Sequence, residues 1–180
     1  MPEIRIRPAV AGDITHLISL DHDYVSDTVW QMDVTAEENH VGVSFRQVRL
    51  PRSVRVDYPR PPRILADEWS SRALLLVALL ANEPVGYIST IQGVAPATNW
   101  VTDLVVTRRM RRQGVGTTLI LVAQEWARQF YPNRMVIEMQ PKNYPAICLV
   151  QKLGFDFCGY NDRYYLNHDI ALFFAKLIRG

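Results

Sequence analysis

Residues 108–130 read RRMRRQGVGTTLILVAQEWARQF: a cluster of arginines, two glycines separated by one residue, then apolar residues at 115, 119, 122, 123, 126, 127 and 130. That spacing predicts an amphipathic helix packed on a sheet. It places Gly114 and Gly116 in the first helical turn, directly after NWVTDLVVT (99–107), which reads as a buried strand. A helix start carries unpaired backbone N–H groups and the positive end of the helix dipole, and glycines let an anion approach that backbone. With arginines on its lip, the turn suits a phosphate or pyrophosphate. Taken alone, the same residues also describe a tight strand-to-helix connection with solvated arginines.

Working outward, ALLLVALL and EPVGYISTIQGV read as two strands joined by a tight polar turn at Asn82-Glu83-Pro84. RMVIEMQ (134–140) is a further strand, followed by a helix over YPAICLVQKL (144–153) with Asn143 as its cap and Pro145 in its first turn. FDFCGY and DIALFFAKLI are strand-like. Near the start, IRIRPA alternates as a short strand, and Asp13 is placed to cap a helix through ITHLISLDHDYV. Residues 45–63, rich in arginine and broken by prolines, read as a hairpin or extended arm. Strands outnumber helices and alternate with them in the second half, so the expected fold is a single α/β domain over 1–180 with a mixed sheet flanked by helices.

The 180 residues carry a formal charge of +2, which demands neither nucleic acid nor a membrane surface. Lysine occurs only at 142, 152 and 176, and the other basic residues are arginines, whose planar fork matches phosphates and carboxylates. Cys148 and Cys158 fit neither a disulfide framework nor a zinc spacing, and the four histidines are scattered, so no metal is expected. The start has no apolar run of signal-peptide length, and the apolar run at 73–81 is too short to span a bilayer. The expected location is the cytoplasm.

The order strand, Arg-x-x-Gly-x-Gly, helix, strand, then Asn-x-x-Ala and a short helix ending in Gly-Phe resembles the GNAT superfamily of acyl-CoA-dependent N-acetyltransferases. Here the pieces are DLVVTRRMRRQGVGTTLI and VIEMQPKNYPAICLVQKLGF, with Arg111, Gly114 and Gly116 at the defining positions and Gly154-Phe155 closing the second. The resemblance covers residues 73–176 and implies a mixed, mostly antiparallel sheet. The branch it is nearest to is that of the protein N-terminal, ribosomal-protein alanine, acetyltransferases. It implies acetyl-CoA as cosubstrate. Backbone groups of Leu104, Val105 and Val106 would pair with the pantetheine arm. The N–H groups of Arg111, Arg112, Gln113, Gly114, Val115, Gly116 and Thr117 would hold the pyrophosphate. Asn143 matches an asparagine close to the cofactor, a role compatible with plain helix capping.

Such a transfer needs an acceptor for the amine's proton and a donor for the departing thiolate. Glu138 interrupts the apolar strand MVIEM and aligns with the strand glutamate proposed as base in the N-terminal acetyltransferase branch; Asp103, inside VTDLVV, is the second candidate. Either is equally readable as a buried carboxylate paired with an arginine or backbone donors. Many family members place a tyrosine where this chain has Val150, so the thiolate's acid is missing or moved; Tyr144, Tyr160, Tyr164 and Tyr165 are the candidates.

The tail YNDRYYLNHDIALFFAK resembles the late hairpin of N-terminal acetyltransferases, in which Tyr164 and Tyr165 would clasp a peptide backbone. Early in the chain, Tyr24, Asp27, Trp30 and Met32 would suit a cationic amine, whereas Arg46, Arg49, Arg52, Arg55, Arg60 and Arg63 would favour an anionic or acidic one if they line the acceptor entrance. The arginines read equally as a solvated face or a homodimer contact. The expected function is acetyl transfer to a peptide N-terminus or small-molecule amine, against the alternative of a catalytically weak acyl-CoA-binding module. Nucleic-acid binding has little support, since aromatic interleaving is sparse.

Overall fold

The computed structural model describes residues 3–130 and 133–179. In chain order the elements are β1 (Ile4–Pro8), α1 (Ile14–Ile18), β2 (Tyr24–Glu37), β3 (His40–Val56), α2 (Ile64–Glu68), β4 (Leu74–Leu80), β5 (Glu83–Ile91), β6 (Thr98–Val106), α3 (Val115–Ala127), β7 (Asn133–Met139), α4 (Tyr144–Lys152), β8 (Asp156–Asn161) and β9 (Ala171–Ile178). Seven strands form one sheet in the order β1-β4-β5-β6-β7-β9-β8, and β2 with β3 makes a separate hairpin. Every neighbouring pair in the large sheet is antiparallel except β6 with β7. That parallel pair needs a crossover, which α3 supplies.

Strand β4 shows why the sequence LLLVALL is apolar without alternation. Leu74, Leu76 and Ala78 belong to the core shared with α3 and α4, whereas Leu75, Val77 and Leu79 pack with Ile14 and Leu17 of α1 and Leu65 of α2. Both faces of the sheet are covered, so both sets of side chains must be apolar. Helix α3 lays Val115, Leu119, Ile120, Ala123 and Ala127 on the sheet, all at most 2% exposed. The turn from β4 to β5 places Ala81 and Asn82 at φ 48° and 69°, the two-residue geometry that matches strand twist.

Two expectations from the amino-acid pattern need correction. The helix begun near Asp13 stops at Ile18 rather than running to Val25, because Tyr24 opens β2, whose β-branched run pairs with β3. Asp13 is also no cap. Its carboxylate accepts from Arg7 Nη1 and Nη2 at 2.7 and 3.0 Å and from the Val10 amide at 2.8 Å. The arm expected over 45–63 is the second half of a hairpin that starts at Tyr24. Its register breaks between Ser26 and Thr28, opposite the segment holding Pro51, which has no amide to give the ladder. The hairpin is fixed on the sheet by Trp30 against Phe157 and Phe174, by Phe45 against Phe157 and Tyr160, and by the Trp30 amide on the Pro141 carbonyl at 3.0 Å.

Candidate active site

The parallel pairing of β6 with β7 runs only from Thr98↔Arg134 to Val101↔Ile137, yet β6 continues to Val106 and β7 to Met139. The reason is local. In the β5–β6 ladder Thr90 faces Val101 while Ser89 faces Asp103, leaving Thr102 as an extra residue. A bulge of this kind bends its strand, and β6 turns from β7 where their pairing ends. The wedge that opens is lined by Thr102, Asp103 and Leu104 from β6, by Glu138, Met139 and Gln140 from the β7 end, by Asn143, Ala146 and Val150 from α4, and by Tyr58 and Tyr165.

The glycine turn follows the end of β6, where Arg111 donates to the Val106 carbonyl and Gly116 packs near Leu149 of α4. Gly114 is the residue before α3 at φ 86°, a left-handed conformation that glycine adopts without strain, and no side chain caps the helix. The first-turn amides of Val115, Gly116 and Thr117 therefore meet no capping side chain and remain available to an anion. Gly116 has a second reason to be glycine: a Cβ there would sit 3.3 Å from Leu149 Cδ2 of α4. Arg111 does not reach outward. Its Nε donates to the Val106 carbonyl at 2.8 Å and its Nη2 to the Asp21 carbonyl at 2.6 Å, tying the turn to the end of β6. Arg112, at φ 63°, and Gln113 lie exposed on the lip, with Gln113 Nε2 donating to the Arg109 carbonyl at 2.8 Å. Asn143 caps α4, its Oδ1 accepting from the Ala146 amide at 3.3 Å, and lines the wedge as well.

The two carboxylates differ in their company. Glu138 has a fully buried side chain and accepts from Arg60 Nη2, from Trp100 Nε1 at 2.7 Å and from the Tyr164 hydroxyl at 2.8 Å. The guanidinium of Arg60 also lies over the rings of Tyr164 and Tyr165, at 5.9 and 5.6 Å from their centroids. Burial is the largest single influence on the Arg60 pKa and lowers it, but the Glu138 charge, the hydrogen bond to Glu138 and the Asp103 charge together outweigh it and raise the pKa, so the cation is permanent. Asp103 is 7% exposed and accepts only from neutral donors, Tyr58 Oη at 2.6 Å and Thr102 Oγ1 at 2.8 Å. Among the described residues no cation lies within ion-pair distance of it.

Tyr165, 6% exposed, stands across the wedge from Val150. Burial first, and then the Glu138 charge, push its phenol pKa well above the usual range, so it keeps its proton. Tyr164 packs edge-on against it at 5.1 Å. Tyr144 lies on the other side of α4 beside Cys148, and Tyr160 belongs to the Phe45 cluster on β8. The two early aromatics are not brought into the wedge. Tyr24 is buried with its hydroxyl on Gln140 Oε1 at 2.7 Å, and Gln140 Nε2 continues to Asp169 Oδ2 at 2.6 Å. Trp30 is spent on the hairpin's packing.

Of the arginines in the arm, only Arg60 reaches the site. Arg46 pairs with Asp33 at 2.8 Å and Arg55 with Asp23 at 2.8 Å, on the hairpin's own surface. Tyr58, Gln140 and Asp169 were not singled out by the sequence. Their contacts span 45, 116 and 29 residues of chain, and a local pattern carries no such signal.

The fold and the turn define a class, and the comparisons agree: a model of the acetyltransferase (GNAT) family matches residues 44–155, and the chain belongs to that family. The streptothricin acetyltransferase of Streptomyces lavendulae is 26% identical over 164 residues, covering 88% of this chain and 85% of that protein. An N-alpha-acetyltransferase of Saccharolobus solfataricus is 27% identical over 117 residues, 56% of this chain and 66% of its own. Among solved structures, nourseothricin acetyltransferase superposes with a TM-score of 0.81 at 24% identity, covering 97% of this chain and 98% of its own. A Bacillus anthracis protein described as a streptothricin acetyltransferase, in complex with acetyl coenzyme A, gives 0.74 at 19% over 97% and 99%. The protein is a GNAT N-acetyltransferase, a member of a family whose cosubstrate is acetyl-CoA. No group of metal-ligating side chains and no helix long and apolar enough to cross a membrane occurs among the described residues.

Proposed function

We propose that the acceptor is a small, positively charged primary amine, acetylated by direct attack in a ternary complex. The observation that carries this reading is Asp103: a buried carboxylate at the wedge whose only partners are a phenol and a hydroxyl. A buried charge with no cation in direct contact is costly, and an ammonium in the wedge would supply a closer counter-ion than Arg60, whose pKa the Asp103 charge helps to raise. In this scheme the first-turn amides of α3 hold the pyrophosphate, and the edge of β6 at Leu104–Val106 aligns the pantetheine arm. Asp103 takes the ammonium proton, freeing the nitrogen pair that forms the amide bond to the acetyl carbon as the carbon–sulfur bond breaks. Tyr165 gives its proton to the leaving sulfur, in place of the tyrosine absent at Val150, and the second nitrogen proton, released as the amide forms, restores the Tyr165 hydroxyl by way of solvent. Glu138 serves as the fixed charge that holds Arg60, Trp100 and Tyr164 around the acceptor end; acting as base itself would require Arg60 to leave.

The similarity to streptothricin and nourseothricin acetyltransferases supports a small-molecule acceptor, and streptothricin heads the panel to try. The test is acceptor-dependent thiol release from acetyl-CoA with streptothricin, simple polyamines and short peptides bearing free N-termini. Turnover with multiply charged small amines, and poor turnover with peptides, is the expected result. Efficient turnover of peptides alone would overturn the acceptor assignment, and binding of acetyl-CoA without release to any amine would favour the weak acyl-CoA-binding reading.

A further inference from the structure

A second concavity, of about 500 Å³, lies away from the wedge and shares no lining residue with it. Gln124 of α3, Arg128 just beyond its end, Arg134 of β7, Asp156 at the start of β8, and Lys176 and Arg179 around the end of β9 form its charged and polar wall. Four cations thus face one carboxylate, in a chain whose whole formal charge is only +2. Arg128 is engaged by the exposed Glu125 at 2.7 Å. Lys176 Nζ is held in place, donating to the Leu153 carbonyl at 2.8 Å and to Gln124 Oε1 at 3.4 Å, over the ring of Phe155. Among the described residues, the side chains of Arg134 and Arg179 have no ion-pair partner.

The second observation is Gln124 itself. It is only 7% exposed, its oxygen is taken by Lys176, and its amide nitrogen is buried with no hydrogen-bond partner. A buried donor of this kind costs stability unless something accepts from it. Three arginines, a pre-positioned ammonium and an unsatisfied amide donor together select for an oxyanion with several acceptor atoms, and the volume is that of a small-molecule site.

We propose that this cavity binds a phosphorylated small molecule of about nucleotide size, at a site separate from that of acetyl-CoA. Gln124 lies ten residues along α3 from Gly114, a rise of about 15 Å, so the pyrophosphate held at the glycine turn is not the anion concerned. Helix α3 ends in this cavity and begins at the glycine turn, and α4 likewise runs from the wedge to its wall, so occupancy would bear on both helices that bracket the cofactor.

The test is calorimetric titration of inorganic pyrophosphate, and separately of ADP, into protein saturated with coenzyme A so that the glycine turn is filled. One pyrophosphate per chain is expected, with ADP binding at least as tightly. In the double variant Arg134→Glu, Arg179→Glu the affinity should fall by about tenfold or more, as for loss of charge-assisted contacts. The single variant Arg179→Glu, on an exposed side chain, should show part of the loss, which keeps the test valid if the double variant folds poorly. No heat at millimolar pyrophosphate, or an affinity unchanged in Arg179→Glu and the double variant, would overturn the proposal. Pyrophosphate binding without ADP binding would overturn the nucleotide-sized ligand.

Discussion

Asp103 and Glu138 sit across the same wedge, and substitution separates their roles. Asp103→Asn removes the charge and keeps an oxygen for one of Tyr58 and Thr102, which donate to different carboxylate oxygens, while the other hydroxyl can turn to accept from the new amide. We expect turnover of a cationic amine to fall by about 10²–10⁴, the usual weight of general acid–base groups, with KM for the amine raised and acetyl-CoA affinity nearly unchanged; steady-state kinetics against amine and cosubstrate separately will show it. Glu138→Gln strands the half-buried Arg60 guanidinium; breaking a fully buried pair costs about 3–5 kcal/mol, and this one, with the Arg60 side chain 32% exposed, should cost less. Denaturant unfolding should report that loss. Tyr165→Phe should slow release of poor leaving thiols while leaving the fold intact.

His22 gives a pH signature of its own. Its Nδ1 faces the Leu20 carbonyl at 2.7 Å and so carries the hydrogen, leaving Nε2 to accept from Tyr87 Oη at 3.1 Å. Burial lowers its pKa despite the nearby Asp21 and Asp103 charges, with Arg111 acting in the same direction as burial. The unfolded chain therefore binds this proton first. The stability contributed by neutral His22 is complete above the unfolded value of about 6.5 and is lost as pH falls through the lower folded value. His22→Gln should flatten melting temperature against pH in that window, where the unsubstituted protein declines.

Among the elements, α3 was legible in outline: the helix, the glycine turn before it and the preceding strand all form. Its buried face is shifted from the stripe, since Val122 and Phe130 are exposed, Ile120 is fully buried, and Gly114 stands just ahead of the first turn. The hairpin β2–β3 was half legible, because its strands are exposed on much of their surface and the buried–exposed alternation of Tyr24–Thr28 does not continue along the rest of β2 or through β3. The bulge at Thr102 left no signal, since it is a relation between two strands rather than a property of one. That relation decides where the wedge opens, so the outline of the site was readable while its wall of Tyr58 and Gln140 was not, and Arg60 was one of six arginines among which the sequence did not choose. The turn yields its own prediction: Gly114→Ala forces a left-handed φ on a side chain at about 1 kcal/mol. Gly114→Glu adds a negative charge beside the α3 amides. Acetyl-CoA affinity, read by titration, should drop modestly in the first and vanish in the second.

At the scale of the whole molecule, acetyl-CoA binds the native state alone, so unfolding should shift upward with ligand concentration by mass action, about 2.7 kcal/mol at a hundredfold excess over Kd. Most sheets have their unpaired backbone at the rim, where neighbouring chains can find it. Here the parting of β6 from β7 puts unpaired backbone near the middle of the sheet, with β1, β4, β5 and β6 paired in series on one side of it and β7, β9 and β8 on the other. The ligand-free protein should then exchange alternate amides of residues 102–106 with solvent deuterium faster than those of β4 and β5, inverting the usual order in which centres outlast margins. A substrate laid into that gap completes the sheet, and those amides should become slow only while it stays.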